Sequence, residues 1–207
     1  DSLALIDPPD IEAVTGKARQ RLTFAQADAK IAALAFLLRE IGTPEGSTVA
    51  IQLPNNADSV IAMLAVMRAG MVPAFLPLLW RRAEGVAALS RCHAKAILCC
   101  GRVGEFDQAQ LALEIAAEVF PIRAVCGFGP NLADGIVAID EIGLTGIADI
   151  HSRAPVAAIT FDTAGDSPKP VERDAARLLS AGLLIGQLSG VSVGARLVGQ
   201  AEDALRH

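Results

Sequence analysis

Between Phe24 and Ile41 the apolar residues Ile31, Leu34, Leu38 and Ile41 recur every three or four positions, the interval that lines one face of an α-helix. Thr23 stands before this run with Gln26 three residues on, the arrangement of a capping box, and Gly42 closes it. "GTPEG", residues 42–46, then reads as a turn. Val49–Leu53 reads as a β-strand, and "PNNADS" turns the chain into a second helix near Ala57–Ala69. Val60, Met63, Leu64 and Met67 are its expected apolar stripe, Asn55-Asn56 its turn and N-cap, and Gly70 its left-handed stop.

The alternation continues along the chain. Strands are expected at Val72–Leu76, Ala96–Cys100, Arg123–Phe128 and Val156–Phe161, with helices at Arg82–Cys92, Phe106–Val119 and from Glu172 to about Leu188. "GPNLADG", residues 129–135, is loop, Ile136–Ile139 a short extended piece, and Ile142–His151 irregular with one helical turn. Short apolar strands separated by helices of this length predict βαβ units. The fold class is therefore α/β, a mostly parallel sheet with right-handed crossovers and helices on both faces.

Composition sharpens this reading at few points. The chain is 52% hydrophobic and 20% charged, so a substantial core is expected and disorder is not. Only 4% is aromatic and tyrosine is absent, so that core is built from Ala, Leu, Ile and Val. A net charge of −5 without any Lys/Arg-rich run argues against nucleic acid as a partner. Val60–Trp80 approaches the length of a membrane span, but Arg68, Gly70, Pro73 and Pro77 interrupt it, so no span is expected. No signal peptide is expected from the opening residues, and Asp1 suggests a processed or truncated beginning.

Cys92, Cys99, Cys100 and Cys126 lack zinc-type spacing, so no metal site is expected. Cys99 and Cys100 are adjacent on a strand and should face opposite ways. They read as reduced, buried thiols of a cytoplasmic protein. His93 and His151 stand isolated from one another and His207 is terminal, so none of the three is expected to be catalytic. Arg81-Arg82 after Trp80 reads as a solvated first helical turn, with a contact to the phosphates of a CoA-like ligand as the sharper alternative.

"AAITFDTAGDSPKPV", residues 157–171, carries the most specific chemistry. Hydroxyl residues, a glycine and a lysine after a strand are materials for holding phosphates. Asp162 and Asp166 in the same stretch oppose them: an unpaired carboxylate about 4–5 Å from a phosphate costs on the order of 1–4 kcal/mol. The alternatives are a working phosphate loop, a degenerate one, and an ordinary strand-to-helix turn.

Three stretches in order carry a family resemblance. Residues 22–78, "LTFAQADAKIAALAFLLREIGTPEGSTVAIQLPNNADSVIAMLAVMRAGMVPAFLPL", resemble the amino-terminal part of AMP-forming acyl-CoA synthetases and related adenylate-forming ligases. "LSRCHAKAILC", residues 89–99, is similar to the family's next helix and strand, and residues 157–171 lie where it places its glycine-rich phosphate loop. Lys169 and Pro168 match that loop. Residues 162–167 run one short of the usual spacing, and Pro170 replaces the usual glycine.

The resemblance covers roughly residues 3–200 and implies a partial amino-terminal ligase domain over 1–207. Residues 1–155 would be its α/β region, and 156–207 would hold a degenerate phosphate loop, the following helix and the start of the next strand. It implies ATP-dependent adenylation, with Mg²⁺, of a fatty or other organic acid and transfer to a thiol such as CoA. Thr163, Ser167 and Lys169 would hold phosphates and Gly165 would permit close approach; catalytic residues are not assigned. Nucleotide and a small carboxylic acid are then the partners of the complete protein. The isolated chain is expected to bind ATP weakly or not at all, and to self-associate through apolar surface near Leu178–Leu188 that truncation exposes. The alternative is a non-catalytic domain of the same shape serving as scaffold or interaction module.

Overall fold

The computed structural model describes residues 2–141, 157–165 and 167–176. Its centre is a seven-stranded sheet. Five strands carry the α/β core: β3 (Thr48–Ile51), β4 (Val72–Phe75), β5 (Ala96–Cys100), β8 (Ala124–Phe128) and β9 (Val137–Ala138). A hairpin of β10 (Ala158–Asp162) and β11 (Lys169–Arg173) completes it, in the order β11-β10-β4-β3-β5-β8-β9. Every neighbouring pair is parallel except β10–β11. Two small antiparallel pairs lie outside this sheet, β1 (Leu3–Ile6) with β2 (Arg21–Thr23), joined through α1 (Ile11–Thr15), and β6 (Arg102–Val103) with β7 (Phe106–Asp107).

The strands alternate between two cores. Val49, Ile51, Ala96, Leu98 and Cys100 pack with α2 (Phe24–Glu40) and α3 (Ala57–Arg68). Ala50, Ile97, Cys99 and Val125 pack with α4 (Arg82–Arg91) and α5 (Gln108–Glu118) on the other face. Burial on both faces explains the continuous apolar runs, and Cys99 and Cys100 do face opposite ways. From β3 the chain crosses by α3 to β4, then returns by α4 past β3 to β5 and by α5 to β8. Reversing both direction and face keeps all three crossovers of one hand, and it puts a topological switch beside β3.

Local signals set the helix ends as expected. Thr23 accepts the Gln26 N–H at 3.3 Å while the Gln26 side chain accepts the Thr23 N–H at 2.9 Å. Asn56 caps α3 by accepting the Ser59 N–H at 3.0 Å. Gly70 takes φ 76° after α3, a conformation that costs glycine no Cβ clash.

Several elements differ from the sequence reading. α3 does not bury the Val60, Met63, Leu64 and Met67 stripe: Leu64 and Met67 are 38% and 37% exposed, while Ile61, Ala62, Ala65 and Val66 are at most 1% exposed. The small side of the helix faces inward, because alanines let α3 approach the sheet and α2 closely. Phe106-Asp107 forms a strand and α5 begins at Gln108, with Asp107 as its cap accepting the Gln110 N–H at 2.8 Å.

Glu172 and Arg173 belong to β11 rather than opening a helix. Pro170 is tolerated there because, among the described residues, β11 is the outermost strand with a neighbour on one side. Ile142–His151, the Leu178–Leu188 stretch expected to carry self-association, and Asp166 lie outside the described residues. Within them, no helix is long and apolar enough to cross a membrane.

Candidate nucleotide-phosphate hairpin

The stretch singled out by sequence is a strand-to-strand connection, not a strand-to-helix turn. β10 runs parallel to β4 through the Ile159–Ala74 register, and β11 returns antiparallel with Asp162 opposite Lys169 as the last pair. The connection therefore leaves the carboxyl end of a sheet strand, where open α/β sheets place their ligands. Thr163, Gly165, Ser167 and Lys169 are all brought to this one connection and its closing pair. Thr163, Gly165 and Lys169 are exposed and Ser167 is half-buried. Among the described residues, a Cβ built on Gly165 meets nothing within 4 Å.

Contacts at the loop end help fix the hairpin, beside the Arg173 Nε–Thr160 Oγ1 hydrogen bond of 3.0 Å between its strands. Phe161 meets the Trp80 ring edge-on with centroids 5.4 Å apart. The buried Pro168 offers its carbonyl to Arg91, whose Nη1 donates at 2.8 Å. The Asp162 carboxylate accepts the Ala164 N–H at 3.0 Å. This last bond was not legible beforehand. It makes Asp162 a turn-forming residue as well as a negative charge, and it engages the Ala164 main-chain donor.

The arginines weighed for phosphate contact are engaged elsewhere. Arg81 stacks on Phe106 with its guanidinium carbon 3.8 Å from the ring centre, and Arg82 pairs with Glu118 at 2.6 Å.

A second polar constellation escaped sequence reading altogether. Lys17 Nζ lies 3.0 and 3.1 Å from the two carboxylate oxygens of Asp58 and 2.6 Å from Asp140. Gln20 Nε2 donates to Asp58 at 2.8 Å, and Asp140 accepts the Gly129 N–H at 2.7 Å. A cavity of about 200 Å³ lies between Asp58, Asp140, Lys30, Leu34, Ile61 and Phe128. Burial raises the Asp58 pKa above its ordinary value, and the Lys17 charge pulls against that rise. Nothing in the spacing of residues 17, 58 and 140 announces this cluster; the fold alone assembles it.

All four cysteines are free thiols. Burial pushes Cys92 up to about 11 and Cys100 and Cys126 up to about 12, so none is prepared for nucleophilic chemistry at neutral pH.

Residues 5–131, more than half of the 207-residue chain, match the family of AMP-binding enzymes. The chain belongs to the AMP-binding enzyme family. It is 28% identical over 129 residues to the salicylyl-CoA synthase / salicylate adenylyltransferase of a Streptomyces species, covering 62% of this chain and 22% of that protein. To the 2-hydroxy-7-methoxy-5-methyl-1-naphthoate–CoA ligase of Streptomyces carzinostaticus it is 26% identical over 138 residues, 67% of this chain and 24% of that one. Among solved structures, acetoacetyl-CoA synthetase from Streptomyces lividans superposes with a TM-score of 0.72 at 19% identity, over 84% of this chain and 28% of that chain. This likeness shows the fold. The chain thus spans 22–24% of the length of these two relatives, and its AMP-binding fold is a part of the larger ligase architecture.

Proposed function

We propose that the chain is the phosphate-contacting portion of an AMP-forming acid–thiol ligase, and that the complete protein activates an aryl or other organic acid. The observation that carries this reading is the β10–β11 hairpin, which gathers Thr163, Gly165, Ser167 and Lys169 at the carboxyl end of the sheet of an AMP-binding family member. The two relatives named for salicylate and a naphthoate favour an aromatic acid over a fatty acid. With ATP and Mg²⁺ present, the carboxylate oxygen would attack the α-phosphorus and release pyrophosphate, and a thiol such as CoA would then displace AMP at the acyl carbon.

The chain's own residues bind and orient. The exposed Lys169 ammonium offsets phosphate charge, the Thr163 and Ser167 hydroxyls donate to phosphate oxygens, and Gly165, which has no side chain, permits their close approach. Asp162 works against all three by its charge and by occupying the Ala164 N–H. Affinity of the isolated chain for ATP is therefore weak, in the millimolar range, and no acyl-adenylate forms. The same Asp162 contact is the observation that supports a second reading, a non-catalytic domain kept as a scaffold.

An amide chemical-shift titration with Mg·ATP tests the proposal. Shifts confined to Thr163, Gly165, Ser167 and Lys169 are expected. A titration to saturating nucleotide that leaves these amides unmoved refutes the phosphate role and leaves the scaffold reading.

A further inference from the structure

We propose that Arg91 is a positioning residue of the phosphate hairpin, and that helix α4, not the sheet alone, sets where the loop stands. The proposal rests on the reading of residues 163–169 as the phosphate element. The two flanks of α4 hold the two margins of the loop. Trp80, just before α4, meets Phe161 at the end of β10, and Arg91, its last residue, binds Pro168 at the start of β11. Cys92, next along the chain, packs against the Val72, Ala74 and Ile159 cluster and so keeps the end of α4 against the strands.

The chemistry at Pro168 makes the Arg91 contact specific. Proline has no N–H, so its carbonyl is its one main-chain hydrogen-bonding group, and Pro168 is a buried residue whose bond to the exposed Arg91 is part-buried. A carbonyl shielded from water is costly to leave without a donor, and the guanidinium supplies a charge-assisted bond at 2.8 Å. The peptide between Pro168 and Lys169 is trans and planar, so its carbonyl and N–H point in opposite directions. Pinning the Pro168 carbonyl to α4 turns the Lys169 N–H away from α4. It also fixes the root from which the exposed Lys169 side chain leaves β11. Arg91 does this while bringing a second positive charge to a loop that carries Asp162, and its place in the last turn of α4 suits the helix dipole.

The test uses the full chain with Arg91→Ala and Arg91→Lys. Amide hydrogen exchange is read at Lys169 and Val171, with Ser59 and Gln110 as distant controls, and Mg·ATP affinity is read by amide shift titration. Losing the charge-assisted bond to the Pro168 carbonyl is expected to speed exchange at Lys169 and Val171 about tenfold in Arg91→Ala and to weaken ATP about tenfold. The controls should be unchanged, and Arg91→Lys should restore a measurable part of both losses. Unchanged exchange at Lys169 and Val171 in Arg91→Ala overturns the proposal. So does faster exchange with ATP affinity equal to that of the unmodified chain, because the held loop would then not matter to phosphate. An unmodified chain whose hairpin amides do not respond to ATP at all is a different result. It removes the phosphate reading itself, and the positioning role with it.

Discussion

Replacing Lys17 by methionine leaves the Asp58 carboxylate in its place without its cation. The Asp58 side chain is 4% exposed and that of Lys17 16%, so little water can substitute for the lost partner. At a separation of 3.0 Å the pair is attracted by about 5 kcal/mol at an effective dielectric near 20. Desolvation of both ions offsets part of that, and the partial exposure of Lys17 screens more. Loss of one partner from such a pair costs about 3 kcal/mol, because a buried charge stays behind. Gln20 retains one hydrogen bond to Asp58 and moderates the cost.

The double variant Lys17→Met/Asp58→Asn removes the stranded charge and should recover most of the loss, ending within about 1 kcal/mol of the unmodified protein. The pH dependence has a definite sign. The folded Asp58 pKa lies above its ordinary value of 3.8, and Lys17 is one of the influences lowering it, so Lys17→Met raises it further. The folded variant then holds a proton that the unfolded chain releases, and its deficit shrinks as pH falls from neutrality toward the Asp58 folded value. Urea denaturation of all four members of the cycle at pH 7 and pH 5 measures this. A Lys17→Met deficit below about 0.5 kcal/mol at pH 7, or one that grows toward pH 5, refutes the reasoning.

Three further outcomes probe the packing. A Cβ on Gly101 would stand 2.1 Å from the Pro130 carbonyl oxygen, so Gly101→Ala should cost about 3 kcal/mol and lower the thermal midpoint by about 6–12 °C in a scanning calorimeter. Leu38, fully buried, should cost about 2–5 kcal/mol as alanine, whereas Leu64→Ser on the exposed side of α3 should stay within about 0.5 kcal/mol; equal effects in denaturant melts would contradict the observed α3 orientation. Iodoacetamide at pH 8 should modify half-buried Cys92 first and slowly, since a thiol near 11 is about 0.1% thiolate there, and fast labelling of Cys99, Cys100 or Cys126 in the native state, read by mass spectrometry, would contradict their burial.

The central strands were legible because burial on both faces writes unbroken apolar runs such as Ala96–Cys100. The caps at Thr23 and Asn56 were legible because they act within one turn of chain. The inward face of α3 was not. Hydrophobicity alone favours Leu64 and Met67, while close packing favours Ala62 and Ala65, and only the neighbours on α2 and the sheet decide between them. The sequence predicts a helix start where β11 stands, because Glu172 and Arg173 are good helix formers. The alternation around half-buried Val171 and the antiparallel pairing with β10 override that propensity. At the site, residue types and order pointed to phosphate chemistry. The hairpin form, the Asp162–Ala164 bond and the Arg91 tether depend on tertiary contact and left no local signature.

The central claim, that the hairpin of Asp162–Lys169 is a phosphate-binding element weakened by its own carboxylates, is tested most directly by calorimetric titration of Mg·ATP. Four proteins are compared: the unmodified chain, Asp162→Thr/Asp166→Thr, Lys169→Ala, and the three changes combined. Removing a repulsion of about 1–4 kcal/mol should tighten binding at least about fivefold from the millimolar range in the double variant. Adding Lys169→Ala should abolish that gain. Micromolar binding by the unmodified chain, or a gain that survives Lys169→Ala, would contradict the account.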